Sequence, residues 1–237
     1  MKLLWILLCS LPLIAGSYKA KIEPIESVTI AAEKAGRIVQ LDQHDELKEI
    51  DGTVLVIDHA LESKELANDR AKLRLIDRQI TIKQRQYDRI KNLKGQSLFT
   101  KERYLNELLA LKLQREDLKN RIAQLEDTIA KKEIALHHRY LKKLYVRKGA
   151  FVSPGMKLMD VEDLGGSRIV LYLDAADRKD IMHKKITIDG NATHGYTIDK
   201  AAETTDAKYL SSYRVELVRP GKAPFGKVVR VEIGGAK

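Results

Sequence analysis

Hydrophobic positions change their spacing several times along this chain, and each change marks an element. Residues Leu3 to Ile14 form a nearly unbroken apolar run. From Val28 to Asp58 the stretches "SVTIAA", "GRIVQL" and "GTVLVID" are short, rich in β-branched residues and separated by Gly36 and Gly52, which predicts strands and turns. From Leu61 the period becomes helical. Leu66, Leu73, Ile80 and Tyr87 recur every seven residues, with Ile76 and Ile90 three residues after two of them. Two further seven-residue series interleave: Tyr104, Leu111, Leu118 and Leu125, and Leu108, Ile122, Ile129 and Leu136, the latter interrupted at Arg115. Alternating steps of three and four give a narrow apolar seam suited to one partner helix. No proline falls between Pro24 and Pro154 to break either arm. The spacing predicts two helices of roughly 35–40 residues, about 50–60 Å long, folded back as an antiparallel hairpin.

The fold-back carries its own signals. Gly95 is the only glycine of the helical run and is placed to end the first helix in the left-handed conformation. Thr100 precedes Lys101 and Glu102 and is expected to cap the second helix, with Glu102 at the positive end of the helix dipole. The turn of Gly95 and Ser97 puts the tip at residues 94–100.

Beyond the hairpin, Val146, Gly149, Val152, Gly155 and Leu158 recur every third residue, as do Leu41, His44, Leu47 and Ile50 before it. Two similar β-segments on either side predict one small β-domain split by the hairpin. "RIVLYLD", "KKITIDGNATHGYTID", "YRVELVR" and "GKVVRVEI" then read as strands, with turns at Asp189–Gly190 and Pro220–Gly221 and a short helix in "AADRKDIMHK". They suggest a small β-barrel or open sheet. The fold class is therefore mixed α and β. The expected boundaries are a signal peptide at 1–17, a first β-segment at 18–60, the hairpin at 61–142, a second β-segment at 143–166 and the barrel domain at 167–237.

Composition narrows the function classes. Of 237 residues, 5% are aromatic and 32% charged, which suits long exposed helices better than one large core. The formal charge is +10, and residues 61–143 hold 21 Lys and Arg against 12 Asp and Glu, so most of the excess lies on helices where charges pair and solvate. "MKLLWILLCSLPLIAGS" has the basic, apolar and small-residue order of a secretory signal, with Ala15 and Ser17 in the small positions. Its apolar core is shorter than the roughly 20 residues of a membrane span; retention as an anchor is the alternative. Cys9 is the only cysteine, so the chain after the signal has no thiol chemistry. An exported protein of this kind is not expected to bind nucleic acid.

Arg89, Leu93 and Thr100 stand at spacings of four and seven across the tip. Arg89 and Leu93 would share a helical face, and an arginine fork holds carboxylates or main-chain carbonyls. The plain alternative is a solvated Arg89, a Leu93 closing the seam and a Thr100 that only caps.

The order of elements resembles the periplasmic adaptor proteins, or membrane fusion proteins, of tripartite efflux pumps and HlyD-like secretion systems. "VRKGAFVSPGMKL" matches that family's second lipoyl half, with Gly149 and Gly155 at its turns. In the first half His44 and Ile50 replace the usual glycines, and Gly52 comes two residues late. The tip reproduces the family's R-x-x-x-L-x-x-x-x-x-x-S docking pattern, with Thr100 for serine. The resemblance implies a lipoyl-like β-domain split by the hairpin, a β-barrel domain, and no cofactor. It implies docking of Arg89, Leu93 and Thr100 to a TolC-like outer-membrane channel, an inner-membrane RND or ABC transporter as second partner, and self-association into a ring, as a hexamer or trimer of dimers. The place implied is the periplasm, at the inner membrane. With little sequence after the barrel, most of a membrane-proximal domain is expected to be missing, so the transporter class stays open.

Other readings are narrower. A lipoyl or biotinyl carrier would need a modifiable lysine where the hairpin is inserted. A secreted structural coiled coil needs no transport partner. His44, His59, His137, His138, His183 and His194 are scattered, so neither an enzyme nor a histidine metal site is expected; Met156, Met159 and Met182 are expected to serve packing rather than a soft metal. "DGNAT" resembles an extended acceptor for bacterial N-glycosylation at Asn191, and is also an ordinary turn.

Overall fold

The computed structural model describes residues 16–193 and 195–236. The apolar run Leu3–Ile14 lies outside them, while Gly16 and Ser17 are paired in a strand opposite Ile233 and Glu232. The chain forms two compact units, one of residues 29–160 and one of the residues up to Val28 and from Val161 onward.

The 29–160 unit combines a small sheet with the hairpin. Strands β1 (Gly16–Ala31) and β6 (Lys157–Leu173) cross its boundaries; within it lie β2 (Gly36–Leu41), β3 (Lys48–Ile57), β4 (Glu133–Leu144) and β5 (Phe151–Val152), with helices α1 (Ala60–Ile90) and α2 (Leu98–Ala130) between β3 and β4. The strand order β5-β2-β3-β4 is antiparallel throughout. Ile38, Leu55, Ile57, Leu141, Val152, Leu158 and Met159 are all buried. Gly149 and Gly155 have φ of +88° and +83°, and each is the third residue of a turn closed by Ala150 N–H to Arg147 O (3.0 Å) and Met156 N–H to Ser153 O (3.0 Å). Gly52 is not in a turn. It lies inside β3 at φ +137°, beside a bulge where His137 and His138 oppose Asp51.

Because β3 and β4 pair as far as Val56 opposite Glu133, α1 leaves and α2 returns at neighbouring positions. Lys132 ties this base together: its O accepts from Ile57 N–H (2.8 Å), and its buried ammonium donates to Asp58 O (2.8 Å) and pairs with Glu62. That hydrogen bond from Lys132 holds the Glu62 carboxyl below the usual range. His59 adds a 2.9 Å pair to Glu133.

The hairpin is shorter than the spacing predicts, with arms of 31 and 33 residues. Residues 131–142, expected as helix, belong mostly to β4, and Leu136 is buried under the sheet instead of extending the seam. The seam itself forms: Ile76, Ile80 and Leu108 are buried together, with Tyr87, Leu111 and Leu118 against them. Lys83–Glu107 (2.6 Å) and Asp69–Arg121 (2.9 Å) link the helices, and both pairs centre on residue 95. Asp69, only 1% exposed, occupies the seam position after Leu66.

The second unit adds α3 (Ala175–Arg178), a 3-10 turn at Ile181–His183, β7 (Lys184–Ile188), β8 (Thr197–Ala201), β9 (Tyr213–Pro220) and β10 (Val228–Ala236). The expected short helix is thus two separate turns. The strand order is β8-β9-β6-β1-β10-β7 over a core that includes Ile169, Leu171, Leu173, Val215, Leu217 and Val231. Among the described residues this sheet does not close into a barrel: β7 pairs only with β10 and β8 only with β9. No helix among the described residues is long and apolar enough to cross a membrane.

Candidate functional site: the hairpin tip

The seam brings α1 and α2 to a fold-back whose residues 91–99 are all exposed. α1 stops before the glycine: Ile90 is its last residue, and the Lys91 N–H donates to Tyr87 O at 2.9 Å. Leu93 therefore lies past the helix, its N–H on Ile90 O at 3.1 Å, instead of sharing a helical face with Arg89. Gly95 makes the reversal at φ +95°, with no atom near its missing Cβ, so it is required for backbone conformation alone.

Ser97, not Thr100, caps α2. Ser97 is extended (φ −65°, ψ 149°), and its Oγ accepts from Thr100 N–H at 3.2 Å. The two hydroxyls also lie 2.9 Å apart, so Ser97 and Thr100 act as one polar unit in the first turn. Lys101 and Glu102 after Thr100 point to Thr100 as the cap, but Leu98 and Phe99 are already helical.

Near the tip Asp88 is taken by neighbours, which leaves Arg89, like Arg85, without an ion pair among the described residues. Asp88 is held by Lys91 (2.6 Å) and by Gln84, and these bonds, Lys91 foremost, keep its carboxyl below the usual range and the Lys91 amine above its own. Arg89 is exposed and has no partner among the described residues. Residues 85–103 carry six Lys and Arg against two acids. Leu93 is 49%, Leu98 71% and Phe99 75% exposed. Leu98 and Phe99 escaped sequence analysis, although an apolar pair at a polar helix start was the signal. The tip is thus a basic surface with exposed apolar side chains and, at Arg89, a guanidinium with no ion pair among the described residues, suited to contact with another protein surface.

The remaining candidates lie elsewhere. Asn191 is exposed, with its backbone in the hairpin turn at Asp189–Gly190. Met159 is fully buried while Met156 and Met182 are exposed. Among the described residues no group of three or more His, Cys, Asp or Glu could hold a metal ion.

No protein-family model matches the chain, and no curated protein matches its sequence. Solved structures do match. A chimera of MacA carrying the α-hairpin domain of Pseudomonas aeruginosa MexA superposes with TM-score 0.66 at 17% identity, over 93% of this chain and 80% of the chimera. A putative efflux transporter from Bacteroides eggerthii gives 0.65 at 13%, over 94% and 69%. A membrane fusion protein of Streptococcus pneumoniae gives 0.63 at 7%, over 94% and 100%. The chain therefore has the fold of the membrane fusion, or periplasmic adaptor, proteins.

Proposed function

We propose that this chain is a non-enzymatic adaptor of a tripartite export system, joining an inner-membrane RND or ABC transporter to a TolC-like outer-membrane channel. The observation that carries the reading is the tip: an unpaired Arg89, a half-exposed Leu93 and the Ser97–Thr100 hydroxyl pair, set at the far end of a hairpin rooted in a small sheet. In this reading Arg89 holds acceptors on the channel mouth, Leu93 packs into a groove between channel helices, and Thr100 contacts the partner beside them. The sheet around Gly149 and Gly155 takes the part of the lipoyl-like domain, and the open six-stranded sheet that of the barrel domain. Several copies surround the transporter as a ring, in the periplasm, after export directed by the apolar run Leu3–Ile14. The chain supplies geometry and differential binding to channel states, while the transporter supplies energy.

Export by a strain depending on this chain tests the reading. Arg89→Ala and Leu93→Ser are expected to lose export at unchanged periplasmic level and melting temperature. Wild-type export from both variants would refute the tip's role and favour a secreted structural coiled coil.

A further inference from the structure

The open side of the second unit's sheet points to a binding site separate from the tip. β7 and β8 follow one another through a type I′ turn, with Asp189 at φ +52° and Gly190 at φ +77°, the geometry that normally starts a regular hairpin. The hairpin starts and then stops. Ile188 N–H donates to Asn191 O (2.9 Å) and Asn191 N–H to Ile188 O (3.1 Å), but no further pair joins the strands among the described residues. The chain turns away instead, with Tyr196 N–H on Thr193 O (3.0 Å), and β8 pairs with β9.

Strand parity shows what this leaves exposed. Ile188 turns its N–H toward Asn191, and Asp189 N–H donates to Arg230 of β10 (2.7 Å). Alternation along the strand then directs Thr187 to β10 and Ile186 away from it. The Ile186 N–H and C=O face a cavity of about 570 Å³ bounded by β7 on one side and Tyr196, Thr197 and Ile198 on the other. Ile186 and Tyr196 are buried and Ile198 packs on the same core, so the floor is apolar. The charged side chains of the lining, among the described residues, are Lys184 and Lys185. Lys184 Nζ is engaged by Ala176 O (2.6 Å) and Asp177 O (3.1 Å), whereas Lys185 is exposed and free.

We infer that this cleft receives an extended acidic segment of another protein, which adds as a strand along the free edge of β7. Its backbone would pair with Ile186, alternate side chains would meet the apolar floor, and a carboxylate would meet Lys185. A free edge beside an apolar slot is the arrangement strand addition uses, and with Lys184 paired to the Asp177 carboxylate (3.7 Å) the Lys185 ammonium sets the sign of the partner.

Amide hydrogen exchange on the full chain tests this, with a short peptide alternating glutamate and valine as probe and its lysine–valine counterpart as control, both at millimolar concentration. In the free protein the Ile186 amide is expected to exchange far faster than that of Thr187. The acidic peptide should slow Ile186 at least tenfold, the basic one should not, and Lys185→Glu should abolish the effect. An Ile186 amide already as slow as Thr187 would mean that β7 and β8 zip closed, and would overturn the inference. Equal protection by both peptides, or by neither, would also overturn it.

Discussion

Arg121→Ala removes the cross-helix partner of a carboxylate buried in the hairpin seam. Asp69 is 1% exposed, with Lys72 Nζ 3.0 Å from one oxygen and Arg121 Nε 2.9 Å from the other. Rupture of a fully buried ion pair costs about 3–5 kcal/mol. Arg121 is 57% exposed, so water screens the pair, and its N–H is not aligned on the Asp69 oxygen as a hydrogen bond. The loss expected is therefore about 2 kcal/mol, near the lower range for bonds to charged groups. Asp69→Leu acts oppositely. It removes the desolvated charge and continues the apolar series of Leu66 and Ile76, so the hairpin is expected to hold its stability or gain about 1 kcal/mol. Urea unfolding followed by far-ultraviolet circular dichroism measures both. Arg121→Ala within about 0.5 kcal/mol of the parent, the ordinary range of surface changes, together with a destabilised Asp69→Leu would refute the reasoning.

Further outcomes follow from the same packing. Leu108→Ala, at 2% exposure against Ile76 and Ile80, should cost about 3 kcal/mol in the same unfolding assay. Ser97→Ala should cost about 1 kcal/mol as loss of the α2 cap, and Thr100→Ala clearly less, since its backbone N–H would keep Ser97 as acceptor. At the hairpin base, Lys132 lowers the Glu62 pKa in the folded chain, so this stabilisation is complete above the ordinary glutamate range and is lost as pH falls through the folded value. Stability measured against pH should thus fall on acidification in the parent, and less steeply in Lys132→Met; identical slopes would contradict the assignment.

The hairpin was legible because a seven-residue apolar period is a local property, and the fold-back at residue 95 follows from it. Its ends were not. "KKEIALHHRYLKKL" has helical composition, yet pairing with β3 and burial of Leu136 and Leu141 make it a strand, a tertiary preference no window reveals. Asp69 was hidden for a related reason: a charge in a seam is credible only once Arg121 is seen across from it. At the tip, spacing identified Arg89 and Leu93, but the cap fell to Ser97 because Leu98 and Phe99 are helical. Between a barrel and an open sheet the sequence did not decide, since the Asp189–Gly190 turn leads into a hairpin that does not continue among the described residues.

In the proposed function the exposed tip docks on an outer-membrane channel. Photo-cross-linking in intact cells tests it most directly, with a photoreactive residue at Gln96 in the tip or at Lys64 near the hairpin base. An adduct with the TolC-type channel is expected from position 96 and none from position 64, with loss of the adduct in Arg89→Ala. Equal adducts from both positions, or none from position 96 in an exporting strain, would contradict it.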